Sequence, residues 1–349
     1  MTNNSGTTTN SARYAWVDYA KGIAIILVVY RHLAYGLLAK GIALPKGVTS
    51  ANDMLYSFRM PLFFLLSGAF FAKSLQKRGK ASFALNKVNT LLYPYLLWAL
   101  IQLSLQMVFS SYTNAHRTAM DYLNILLQPR TLDQLWYLFA LFNVTMLYLG
   151  INILTRGNKY IHLAVGLIFL GCSPLIRQYS AIYDIMLHYI FFAVGDFSSG
   201  IFFQERVQQR LSEPRYLYFS FFIFIALQFF YLYHQDMNMF LYLVIALNGC
   251  LFTIQLSSCL AAKGVLTFLQ VIGHHSLYIY LLHVTIAAVL RALLIRMGIT
   301  NGPVLLLLLI PMAIGISLVI YKFCVRLGLS FLFTGPLKEK QATKKLSVQ

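Results

Sequence analysis

Charge is what this chain has least of. Only 11% of its 349 residues are Asp, Glu, Lys or Arg, while 59% are hydrophobic and the mean hydropathy is +0.67. Soluble domains carry about 25% charged residues, so a water-facing globular fold is excluded. Cysteine is equally sparse. Cys172, Cys250, Cys259 and Cys324 stand apart in apolar segments, with no CxxC pair and no Cys/His spacing suited to zinc. They read as small buried apolar side chains, and no metal site is expected. Also missing are an internal repeat, a low-complexity tract, a glycine-rich phosphate loop and any linker long enough to set off a soluble domain.

What the chain has instead is a succession of apolar runs long enough to cross a bilayer. They predict an all-α, polytopic transmembrane helical bundle of about ten helices. The spans lie near residues 15–38, 54–72, 88–110, 133–154, 160–176, 181–203, 216–233, 239–260, 274–297 and 303–326. Residues 1–12 are polar without an apolar core, and read as a disordered cytoplasmic tail rather than a signal peptide. Residues 13–335 form the transmembrane domain, and 336–349 a basic cytoplasmic tail beside lipid headgroups. The net charge of +18 has no soluble basic face to serve, so no nucleic-acid partner is expected. It reports topology instead. With the N-terminus inside, nineteen of the 28 Lys and Arg residues fall on one side, which places both termini in the cytoplasm.

Against this background a few polar residues stand out. Lys21 and His32 are separated by almost three helical turns, so they share a face about 16 Å apart. With Lys21 at the membrane boundary, His32 lies near the midplane. An ionisable group at that depth is functional by default, and histidine moves protons near neutral pH; a buried histidine bonding a neighbouring helix fits the same position. Asp18 can pair with Lys21 across one turn, and Arg31 points about 100° away from His32. In the second span Arg59 is placed to snorkel outward. Pro61 frees a carbonyl that needs a partner, and Ser67 and Gly68 suit close helix packing. In the ninth span Ser276, Tyr280 and His283 form one polar stripe at i, i+4 and i+7. Trp136 and Tyr137 read as interfacial aromatics, with sugar stacking as the alternative. Asp184, His188 and Asp196 are further candidates, and Asn143 and Asn248 read as interhelical hydrogen-bond partners.

Taken in order, these strings resemble the acyltransferase-3 family of integral-membrane acyltransferases, and within it the fucose 4-O-acetylase type, which modifies sugars of bacterial surface glycans. The family's Asp, then Lys or Arg, then ten residues, then His is matched by Asp18, Lys21 and His32. "MPLFF.LSG" fits Met60 to Gly68, "LW.L" fits Leu135 to Leu138, and "SLYIYLLH" fits Ser276 to His283. Arg31 stands where the family usually has glycine and Arg59 where this type often has histidine; either the two are structurally linked or they mark a different acceptor. Of an Arg-x-x-Arg that many members carry, only Lys87 remains. The resemblance implies an O-acetyltransferase of a bacterial inner membrane, with no permanently bound cofactor. Its donor would be cytoplasmic acetyl-CoA, and its acceptor a hydroxyl of a surface-polysaccharide sugar or lipid-linked precursor. His32 would be general base or acyl relay, with His283 and Tyr280 orienting it or the acyl group. Lys21, Lys73, Lys77, Arg78 and Lys87 would attract CoA, and Arg59, Arg31, Trp136 and Asp18 would serve the acceptor side. A glycan or lipid transporter and a non-catalytic polysaccharide-assembly subunit are the alternatives; a transporter should show alternating-access repeats, and the sequence has none.

Overall fold

A computed structural model describes residues 14–109 and 117–337, so the tail 1–12 and residues 338–349 lie outside it. The described residues form helices and connecting turns, without a strand. The helices are α1 (Ala15–Leu38), α2 (Lys46–Met54), α3 (Tyr56–Ala69), α4 (Phe71–Arg78), α5 (Lys80–Val108), α6 (Trp136–Leu154), α7 (Lys159–Cys172), α8 (Ser180–Phe202), α9 (Pro214–Tyr233), α10 (Met239–Lys263), α11 (Phe268–His274), α12 (Ser276–Arg296) and α13 (Gly302–Arg326). Nine of these are long and apolar enough to cross a membrane, α7 with the 3₁₀ turn that prolongs it to Ile176. The expected span near 54–72 is the exception: α2 and α3 run together as Lys46–Ala69 and meet α4 at a 41° bend. Counting that bent run as one span gives up to ten.

The third span begins earlier than its apolar core suggested. Gly79, at φ 76°, ends α4, and nothing between Lys80 and Leu92 breaks a helix. Pro94 would normally interrupt the ladder. Here a π-helical turn at Val88–Leu92 precedes it, and the chain runs on to Val108. Pro61 is handled differently. Its missing N–H frees the carbonyl of Ser57, four residues back, and the Tyr242 hydroxyl donates to that oxygen at 3.1 Å.

α1 stands at the centre, packed against α3 and α10 to α13. Two glycine contacts set the tightest packing. A Cβ at Gly273 on α11 would fall inside the Asp18 carbonyl, and one at Gly22 on α1 inside the Leu269 carbonyl. Gly68 of α3 and Gly195 of α8 meet the backbone of Phe192 and Leu65 in the same reciprocal way. This is the small-residue packing that joins helices in lipid, where apolar burial supplies no driving force. The outward faces carry the large apolar side chains: Phe219 and Phe222 on α9 are each 71% exposed and Leu307 on α13 is 75%, so these faces meet lipid.

Two expectations about single residues need correction. Cys250 and Cys259 are buried, but Cys172 is exposed and Cys324 half-buried, because both sit on outward faces of α7 and α13. Asn143 donates to Phe139 O of its own helix at 2.8 Å, and the buried Oδ1 of Asn248 has no partner among the described residues; neither is an interhelical tie.

After α13 the chain turns back onto α5. Trp98 Nε1 donates to Leu332 O at 2.8 Å. Phe333 is buried against Trp98, Tyr278 and Tyr321. Asn89, inside the π-turn, donates to Leu337 O at 2.6 Å and accepts from Leu337 N at 3.2 Å, while its carbonyl accepts from Gly335 N at 2.9 Å. Residues 335–337 are therefore anchored beside Lys87.

Candidate active site along helix α1

The polar residues of α1 fall into three clusters at successive depths. The first lies at the end where the chain enters α1, here the tail end. Lys21 on α1, Arg78 at the close of α4 and Lys87 on α5 are near enough to act on one another electrostatically. Lys87 is half-buried, with its ammonium over the Phe83 ring at 5.4 Å; Arg78 donates to Ser74 Oγ at 3.0 Å. Three cations converge on one mouth, an arrangement suited to phosphate groups. Lys73 instead lies over Tyr14 at 5.7 Å, and Lys77 is exposed. Asp18 is buried where α1 meets α11, which makes it part of the helix junction.

The second cluster is the histidine pair. His32 of α1 and His283 of α12 meet edge to face, ring centroids 5.3 Å apart. α11 makes this possible: by packing beside Asp18 and Gly22 it starts α12 well up the length of α1, so that residue 283 comes level with residue 32. His283 is fully buried. Its Nδ1 lies 2.9 Å from the carbonyls of both Ile279 and Tyr280. A carbonyl only accepts, so the proton sits on Nδ1 and Nε2 presents a lone pair. That buried Nε2 has no partner among the described residues. Tyr280 lies 6.3 Å from His283 and 5.5 Å from Tyr137 between ring centroids. His32 itself is half-buried, and on α1 it sits in the half toward Leu38, about 9 Å from that end.

The third cluster is arginine-rich. Arg59 does not snorkel: it is 1% exposed, because Nη1 donates to Leu27 O at 3.0 Å and to Asn52 Oδ1 at 3.3 Å. Arg31 and Arg59 both set a guanidinium over the ring of Tyr56, at 4.4 and 4.8 Å, and both act electrostatically on His32. The two departures from the family pattern thus share one aromatic partner and are structurally linked.

Beyond Tyr56 lies a cleft of about 140 Å³ at the loop end, opposite the first cluster. Trp136 lines it together with Arg130, Arg177, Tyr183, His188 and Tyr231, among others. Arg130 and Arg177 carried no sequence signal of their own. The one available clue was Asp184, a carboxylate in an apolar span that must find a cation; it is fully buried and held by Arg130 at 2.5 Å. His188, one turn on, donates from Nδ1 to Asp184 O at 2.8 Å and stacks on Phe64 at 4.4 Å. Asp196 belongs elsewhere, accepting from Tyr148 at 2.9 Å and facing Lys159 at 3.6 Å. Among the described residues no group of three His, Cys, Asp or Glu is placed to hold a metal ion.

Comparison with known proteins bears on this arrangement. Over 207 residues the chain is 27% identical to nodulation protein NolL of Sinorhizobium fredii (strain NBRC 101917 / NGR234), which is 58% of this chain and 53% of NolL. The chain therefore matches about half the length of that curated relative. No solved structure matches it. Residues 14–322, from the start of α1 into α13 and including all three clusters and the cleft, match the family model of an acyltransferase domain, and the chain belongs to the acyltransferase-3 family.

Proposed function

We propose that the chain is a membrane O-acetyltransferase that takes its acetyl group from acetyl-CoA and gives it to a hydroxyl of a surface-polysaccharide sugar or its lipid-linked precursor. The observation that carries this reading is the His32–His283 pair, set between a cationic mouth at one end of α1 and an arginine- and aromatic-lined cleft at the other. The phosphates of CoA suit Lys21, Arg78 and Lys87. The thioester needs no further activation than a base for the acceptor and hydrogen-bond donors for the developing oxyanion. His32 serves as that base, or as relay for the acyl group. The acceptor oxygen bonds to the carbonyl carbon, the carbon–sulfur bond breaks, and the proton taken from the hydroxyl ends on the CoA thiol. His283 positions His32 through the edge-to-face contact of their rings, 5.3 Å between centroids. The test is release of free CoA from acetyl-CoA by the purified full chain in lipid nanodiscs, together with mass spectrometry of surface glycans with and without the gene.

Lys21→Ala is expected chiefly to raise the donor KM, by about 10–100-fold if one charge-assisted contact of roughly 1.5–3 kcal/mol is lost, and Lys21→Arg is expected to keep part of the affinity. Steady-state kinetics at varied acetyl-CoA checks this. An unchanged donor KM with reduced accumulation would make Lys21 a structural residue.

The reading places the protein in the bacterial inner membrane with both termini cytoplasmic. Reporter fusions after Gln349 and within 111–132 should then give opposite signals. The same signal at both sites would overturn that orientation.

A further inference from the structure

We propose that the loop-end cleft binds one sugar ring carrying a negative group, a carboxylate or a phosphate, and that Arg177 selects for that charge. The proposal rests on the acceptor being a saccharide, and it deepens that reading by naming the acceptor's class. Size comes first. The cleft holds about 140 Å³, and a cavity of ~150 Å³ takes a six-membered ring the size of benzene, so there is room for the frame of one sugar ring while its substituents reach towards the open side. The walls come second. Trp136, Tyr56, Tyr183 and Tyr231 line it, giving the mixture of aromatic side chains and few polar groups that fixes a small ligand's orientation.

Charge decides the rest. Arg130 is locked to Asp184, with Nε at 2.9 and 3.0 Å and Nη2 at 2.5 Å from the carboxylate oxygens. Its charge is matched one for one, and its plane lies over Trp136 at 4.8 Å and Tyr183 at 5.2 Å. Arg130 therefore extends the aromatic wall and is not a free anion hook. Arg177 lines the same cleft, is exposed, and no Asp or Glu lines it with Arg177. Behind Tyr56 stand the guanidiniums of Arg31 and Arg59. Asp53 acts with Arg31 and Arg59 on Tyr231, and Asp236 lies between the lining residues Gln235 and Met237; Arg31, Arg59 and Arg177 outnumber these two carboxylates, so the cleft is net positive between low-dielectric walls, which focus the field on an anion. Arg31 and Arg59 also act electrostatically on His32, so they stand between the Tyr56 wall of the cleft and the histidine pair.

Isothermal titration of the full chain in nanodiscs would use three panels: neutral oligosaccharides, uronate-bearing oligosaccharides with their methyl esters, and a polyprenyl-phosphate monosaccharide. At least one charged panel is expected to bind about tenfold more tightly than the neutral one. Tighter binding of the uronates identifies a soluble or polymer-borne acidic sugar, and tighter binding of the polyprenyl phosphate a lipid-linked one. Arg177→Gln should erase the preference for charge while neutral sugars bind as before, and Trp136→Ala should weaken all panels. Equal binding of charged and neutral panels, no binding by any charged panel, or a charge preference that survives Arg177→Gln would each overturn the proposal. Acetyl-CoA turnover by the wild type is a separate readout: charge-selective binding without CoA release would keep this site and reject the acetyltransferase reading.

Discussion

His32→Ala is expected to reduce acyl transfer by about 10²–10⁴, the usual loss when a proton-transferring residue is removed, while the protein still inserts and accumulates. The second half of that expectation comes from packing. His32 is half-buried and meets His283 ring to ring; among the described residues no hydrogen bond ties it to a neighbouring helix, so its removal orphans no buried polar group. His283→Ala is the contrasting variant. His283 is fully buried, so truncation leaves a cavity as well as removing the ring that packs against His32, and both turnover and thermal stability should fall. Nanodisc-reconstituted variants assayed for CoA release, with melting followed in parallel, separate the two. Near-normal turnover in His32→Ala would leave the pair a packing contact.

Gly273→Ala should be the most damaging glycine-to-alanine change among the described residues, because its Cβ makes the shortest contact of any of these glycines. Its Cβ would overlap the Asp18 carbonyl and crowd the Gly22 amide, backbone atoms that no rotamer change can move. Overpacking of this kind typically costs about 1–3 kcal/mol, and more where the clash is with backbone. The expected result is a lowered melting temperature and poor accumulation. Surviving protein should transfer the acyl group slowly, because α11 sets the height at which α12 presents His283. Gly315→Ala is the control: nothing lies within 4 Å of its Cβ, and alanine in an open helical position gains roughly 0.5–1 kcal/mol over glycine. If both variants melt alike, the α1–α11 contact is looser than described.

The helices were readable because apolar length is a strong signal and repeats throughout the chain. Position in sequence was also enough to place Lys21, His32, Tyr280 and His283 in sensible company: three residues on one stripe need only a helix. What sequence spacing could not supply was height. The 274–297 run says nothing of α11, whose packing on Gly22 is what brings residue 283 level with residue 32. Arg59 was misplaced for a related reason. Snorkelling assumes water within reach of a long side chain, whereas here Leu27 O and Asn52 Oδ1, 32 and 7 residues away, claim the guanidinium first. Arg130 and Arg177 sit in loops before spans, where arginine is ordinary, and only the partner or the cleft distinguishes them. Asn143 shows the opposite limit: a polar side chain in a span can satisfy itself one turn back on its own helix.

The anchoring of residues 335–337 on Asn89 gives the chain a biosynthetic order. Asn89 and Leu337 are 248 residues apart, so at translation rates of about 5–20 residues per second some 10–50 s separate the emergence of the two. Throughout that interval Asn89, in the π-turn two residues from Lys87, lacks the backbone partners that Gly335 and Leu337 later supply. This tie beside Lys87 thus forms only after α13 has been made, and a nascent chain stalled before residue 335 would carry α1 to α13 with the partners of Asn89 still missing.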